Sequence, residues 1–147
     1  MEENGTGRPA TGNPVAANIR NEWHWVKQGI EEILHNNPDV NTIPEDVYHA
    51  CKAGIAHLWI APEYFVITTF ETDNDNGERA LLLWFAWAKD SGGKHSMTAN
   101  GFFEEVAKSQ GCAGIEIQTN HQPLIDYSVG QLGYHVRTQI LRKDLED

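Results

Sequence analysis

Apolar residues change their spacing twice along this chain, and each change marks a new kind of element. Over residues 19–36, Ile19, Trp23, Val26, Ile30, Ile33 and Leu34 recur at helical spacing, with Glu22, Lys27, Glu31 and Glu32 on the other side. Asn36-Asn37-Pro38-Asp39 ends that helix. Thr42-Ile43-Pro44-Glu45 reads as a capping box with proline in the first turn, and places Val47, Tyr48, Cys51 and Ile55 on one face of a second helix. From residue 57 the pattern turns to strands. Residues 57–60 form a short one, broken at Ala61-Pro62, and 64–71 are aromatic and β-branched. Thr72-Asp73-Asn74-Asp75-Asn76-Gly77 makes a polar turn, and residues 79–89 return as the partner strand. Leu81-Leu82-Leu83-Trp84-Phe85-Ala86-Trp87-Ala88 is apolar on both faces, which predicts a central strand covered on both sides.

Helical spacing resumes over 98–110, with Phe102, Phe103, Val106 and Ala107 inward and Gly111 as the stop. A strand over 113–119, a helix over 123–132 closed by Gly133, and a strand over 134–141 complete the pattern. Together these predict an α/β fold, a mixed and mostly antiparallel sheet with helices on both faces. Residues 1–18 differ in kind. Gly5, Gly7, Pro9, Gly12 and Pro14 punctuate a polar stretch with no large apolar side chain before Val15, too little to offset the entropy of ordering it. The expected organisation is a flexible arm over 1–18 and one domain over 19–147, a length that suits one core.

The net charge of −10, with only 11 Lys and Arg, excludes a nucleic-acid binder that relies on a basic patch. No apolar run approaches a membrane span and no secretory leader opens the chain, so no membrane contact and a cytoplasmic location are expected. Cys51 and Cys112 form no CxxC pair and read as buried free thiols. The seven histidines, His24, His35, His49, His57, His95, His121 and His135, fall into no metal-binding spacing, so no metal is expected. The tryptophans read as packing between helices and sheet. Trp25 lies off the first helix's apolar stripe and is also a candidate anchor for a partner.

The order of elements, the step Leu132-Gly133-Tyr134 closing a late helix, and the small-residue turn Gly111-Cys112-Ala113-Gly114 into Ile115-Glu116-Ile117 resemble the Gcn5-related N-acetyltransferase (GNAT) superfamily over about residues 19–142. The resemblance implies a cofactor, acetyl-CoA, whose pyrophosphate is cradled by a glycine loop at the start of the central helix. Here the matching segment supplies Ser91, Gly92, Gly93, Lys94, His95 and Ser96 as candidate cofactor-binding residues, without the family's spacing. A polar connection that uses Gly92-Gly93 to turn is the competing reading. The resemblance also implies a tyrosine acid five residues before the aromatic of the Leu-Gly-Tyr step, where this chain has Val129. Tyr127 lies two residues away, about 200° around the helix. For a base the resemblance implies a carboxylate on the central strands, for which Glu63, Glu71, Glu78 and Glu116 are available, each also readable as a solvated edge residue.

Two functions follow. One is a non-catalytic GNAT-like module without a cofactor, docking onto a protein partner or another copy through its N-terminal arm. In size, loop and arm it resembles the degenerate GNAT-like proteins of tailed bacteriophages, which would place it in the host cytoplasm and the virion. The other is an acetyl-CoA-dependent N-acyltransferase acting on a small amine or a protein amine. The altered loop and Val129 favour the first.

Overall fold

In the computed structural model, which describes residues 13–89, 99–119 and 121–145, the strand-rich centre of the sequence becomes one five-stranded sheet. Its elements in chain order are β1 (Val15–Ala17), α1 (Ile19–His35), α2 (Pro44–Lys52), β2 (Ala56–Ala61), β3 (Tyr64–Thr72), β4 (Arg79–Ala88), α3 (Asn100–Ser109), β5 (Gly114–Glu116) and α4 (Gln122–Gln131). The strands lie side by side in sequence order. All pairs are antiparallel except β4 and β5, which are parallel. The mixed, mostly antiparallel sheet with helices on both faces is therefore as the pattern predicts.

Alternation along the strands sorts the core into two layers. Leu58, Phe65, Ile67 and Phe85 point to the face covered by Val26 and Ile30 of α1 and Val47 of α2. Tyr64, Val66, Leu81 and Ala88 point to the other face, onto Phe103 and Ala107 of α3. β3 and β4 thus bury both faces. Gly29 lets α1 approach the sheet closely: a Cβ there would lie 2.5 Å from the Phe65 ring and 2.9 Å from Trp87. Trp25, the candidate anchor, instead packs edge-on against Phe65 at 5.6 Å and donates its Nε1–H to Glu22 at 2.7 Å.

Several boundaries move. Residues 15–17, expected in the arm, pair with Leu58–Ile60 as an edge strand, because Val15-Ala16-Ala17 can satisfy backbone groups there without large side chains. The rest of the expected arm, residues 1–12, lies outside the described residues. The capping box also shifts by one position: Ile43 is the cap residue of α2, and its N–H donates to the Asp46 carboxylate at 3.1 Å. β5 has three residues rather than seven. Residues 134–141, expected as a strand, form none: they make no ladder with the outer edge of β5.

Candidate functional site

The sheet opens between β4 and β5. Their pairing covers only Ala80↔Gly114, Leu81↔Ile115 and Leu82↔Glu116, while β4 continues to Ala88. Just past Leu82 the register of β3 and β4 shifts: Ile67 faces Phe85 but Thr68 faces Leu83, so Trp84 is an extra residue in β4. A bulge of this kind bends its strand and sharpens the local twist. It sits where β4 leaves β5, and the result is a wedge whose apex is the Leu82–Glu116 pair.

A carboxylate pair occupies that apex. Ile67, Thr69 and Glu71 alternate onto the α1–α2 face of β3; Leu82 pairs with Thr69 and Glu116 with Leu82, so Glu71 and Glu116 share that face. The two carboxyl groups are in hydrogen-bonding contact. Glu71 is exposed, but partial desolvation of its carboxyl raises it above the usual carboxylate range, and the hydrogen bond and negative charge of Glu116 raise it further, against an opposing hydrogen bond from Gln118. Gln118 Nε2 donates to Glu71 at 3.4 Å. Arg137 bridges Glu116 at 3.3 Å and Asp73 at 3.6 Å. Of the four carboxylates considered from sequence, Glu71 and Glu116 come together. Glu63 and Glu78 are exposed in the turns at either end of the β3–β4 ribbon. No sequence signal pairs residues 45 positions apart; the strand registers do.

The N-terminus of α3 begins without a side-chain cap, with Ala99 at the cap position and no acidic residue in the first turn. Space beside Gly101 is open. Next to it, the buried Asn100 accepts from the Tyr134 hydroxyl at 2.7 Å and donates to Glu104 at 2.7 Å. Burial, and then the Glu104 charge, push the Tyr134 phenol up to about 12. The Leu-Gly-Tyr step has a clear role here. Gly133, at φ 80°, turns the chain so that the Tyr134 N–H returns to the Ser128 carbonyl at 3.1 Å. The Ser128 hydroxyl is itself buried with no hydrogen-bond partner among the described residues.

The remaining expectations fare unevenly. Ser91, Gly92, Gly93, Lys94, His95 and Ser96 lie outside the described residues. Val129 and Tyr127 are both about half exposed on α4. Burial raises the Cys51 thiol to about 11, which leaves it unreactive at neutral pH. Among the described residues no three His, Cys, Asp or Glu side chains gather as a metal site. A groove of about 560 Å³ opens at the opposite edge of the sheet, beside Ala17, Arg20, Lys52 and His57, away from the wedge.

Searches of protein-family models and of curated proteins return no match. Solved structures do match. A tetramutant of the BH1408 protein from Bacillus halodurans superposes with a TM-score of 0.72 at 9% identity, covering 91% of this chain and 100% of that one. The ribosomal-protein-alanine N-acetyltransferase of Brucella melitensis biovar Abortus 2308 gives 0.63 at 10% identity, covering 90% and 100%. An acetyltransferase of Trypanosoma brucei gives 0.59 at 11%, covering 90% and 99%. The chain has the GNAT fold. At these identities the likeness concerns the fold alone.

Proposed function

We propose that the chain is an acyl-CoA-dependent N-acyltransferase, with the wedge between β4 and β5 as its cofactor cleft and the Glu71–Glu116 pair as its base. The observation that carries this reading is the end of β4–β5 pairing at Glu116, which sets a carboxylate pair at the apex of the opening. The first turn of α3, which has no side-chain cap and no acidic residue of its own, and open space at Gly101 suit a phosphate. Coenzyme A, when bound, supplies an acyl thioester. An amine accepting that acyl group would have to lose a proton, and Glu116 with Glu71 would take it. The raised affinity of Glu71 for a proton narrows the gap to an ammonium ion and improves that transfer. A thiol has an ordinary pKa of about 8.5, so a thiolate leaving group would need no strong acid from the protein near neutral pH. The absence of a phenol at Val129 is then tolerable.

Acetyl-CoA titrated calorimetrically into the full chain should bind near micromolar and raise its melting temperature. Glu116→Gln should retain binding and lose about 10²- to 10⁴-fold in transfer to an amine. Absence of binding at millimolar acetyl-CoA overturns the proposal. That outcome would favour the second reading, a non-catalytic docking module of the kind found in phage particles, for which the half-exposed Val129 in place of a phenol is the supporting observation.

A further inference from the structure

The groove at the β1–β2 edge of the sheet arises where a ladder stops short. β1 and β2 pair as far as Ala17↔Leu58, but β2 begins two residues earlier, at Ala56. At Asn18 the chain leaves the sheet, and the Asn18 Oδ1 accepts the Arg20 N–H at 2.9 Å to cap α1. Ala56 and His57 are therefore paired with β3 on one side and with no strand on the other. The space left there is about 560 Å³ and is lined by the buried Ile19, Ala56 and Leu58 and, from the end of α2, by Lys52. That volume suits a small organic molecule and is far larger than a lone ion needs.

The charge around this space runs against that of the whole chain. With 21 Asp and Glu against 11 Lys and Arg, cations on this surface have acids in excess, and most are engaged. Lys27, Lys108, Arg137 and Arg142 pair with carboxylates. Arg79 donates to the Gln110 carbonyl and lies over the Phe70 ring, and Lys89 lies over Trp25. Apart from Lys143 in the tail, the Lys and Arg side chains with no such partner among the described residues are Arg20 and Lys52, and both line the groove. No Asp or Glu among the described residues lines it. The amino end of α1 and the carboxyl end of α2 meet here with helix dipoles of opposite sign, so the excess positive charge belongs to the two side chains.

We propose that this groove binds a small organic carboxylate with an apolar body, the carboxylate held by Arg20 and Lys52 and the body seated against Ile19, Ala56 and Leu58. A guanidinium matches a carboxylate with two parallel hydrogen bonds, and the lysine adds a second charge. The groove lies at the other edge of the sheet from the wedge, so the inference does not rest on acyl transfer.

Benzoate, its neutral isostere benzamide and inorganic phosphate, each titrated into the full chain and followed by backbone amide shifts in NMR, provide the test. Benzoate should bind with a Kd of about 1 mM, as suits a ligand of so few atoms, shift the amides of residues 17–20 and 52–58, and weaken as salt is raised. Benzamide and phosphate should each bind at least about tenfold more weakly, one lacking the charge and the other the apolar body. Arg20→Gln together with Lys52→Gln should weaken benzoate by at least about tenfold without moving the melting temperature, because both side chains are exposed and unpaired. Lys143→Gln should change nothing. Absence of shifts in these residues at about 10 mM benzoate overturns the proposal. Benzoate binding that is indifferent to the double substitution, or matched by benzamide or by phosphate, overturns it equally.

Discussion

The β2–β4 block and the region after α3 are built to opposite rules. In the first, all six residues of β2 face partners in β3, and β3 and β4 are paired from end to end around one bulge. Phe65, Ile67 and Leu81 are fully buried. In the second, β5 contributes three residues, α4 buries only Ser128, and the tail is open to solvent. The first part supplies the stability, and the second is left free to do something else. Unpaired strand edges, a helix N-terminus without a cap and a carboxylate pair are all features that a domain selected for stability alone would close.

Substitutions at the two ends of that contrast should give the largest difference. Phe65 is fully buried, stacked on Trp87 at 5.7 Å with Trp25 against its edge, so Phe65→Ala should cost about 3–5 kcal/mol in urea unfolding. Leu141→Ala should leave the unfolding midpoint unchanged. A comparable loss at both positions would mean that the tail belongs to the core and would break the comparison. Next in size is Gly29→Ala. The added methyl meets the Phe65 ring at 2.5 Å, and the ring is held between Trp25 and Trp87, so overpacking should cost about 1–3 kcal/mol, outweighing the alanine's better helix propensity.

Gly29 also marks the limit of what was legible in the sequence. The spacing of Ile19, Trp23, Val26 and Ile30 places α1 and its buried face within a residue of the observed ends. The doubly apolar run at 81–88 locates the central strand for the same reason: period and burial are local properties of the chain. Nothing local says that the glycine at 29 is where a helix touches a phenyl ring, or that Trp84 is an extra residue in its strand. Those depend on register, and register joins positions far apart. The Glu71–Glu116 pair is hidden for that reason, although each glutamate is visible as a candidate. The strand expected over 134–141 is the opposite case. Its alternation is real, but a strand exists only where a ladder forms, and residues 134–141 make none with the edge of β5.

A smaller effect probes the seam between the two regions. Tyr134→Phe removes the 2.7 Å hydrogen bond to Asn100, which is buried and would be left with an unpaired carbonyl, at a cost of about 1–2 kcal/mol. Because burial and Glu104 push the phenol up to about 12, Tyr134 should be the last tyrosine to ionise when absorbance is followed at alkaline pH. The folded state holds that proton more tightly than the unfolded chain. Its contribution is complete below the ordinary phenol value and is lost as pH climbs through about 12. An early, ordinary titration would mean that the tail is not anchored at Tyr134.

The smallest predicted effect is the one that bears most on chemistry. The folded state holds the Glu71 proton to a higher pH than the unfolded chain does, through partial desolvation first and Glu116 second. The sign is therefore opposite to that of a salt-bridged carboxylate. Stability contributed by Glu71 is full below the usual carboxylate range and declines as pH rises through the raised value. Glu71→Gln should flatten that part of the stability profile, and Glu116→Gln should shift the Glu71 titration downward only in part, because the desolvation remains. Carbon-detected NMR of the side-chain carboxyls follows both directly. If Glu71 titrates as an ordinary exposed glutamate in the unmodified chain, the two carboxyls do not share a proton. The apex of the wedge would then hold two independent surface charges, and the open half of the molecule would lose its base while keeping its cleft.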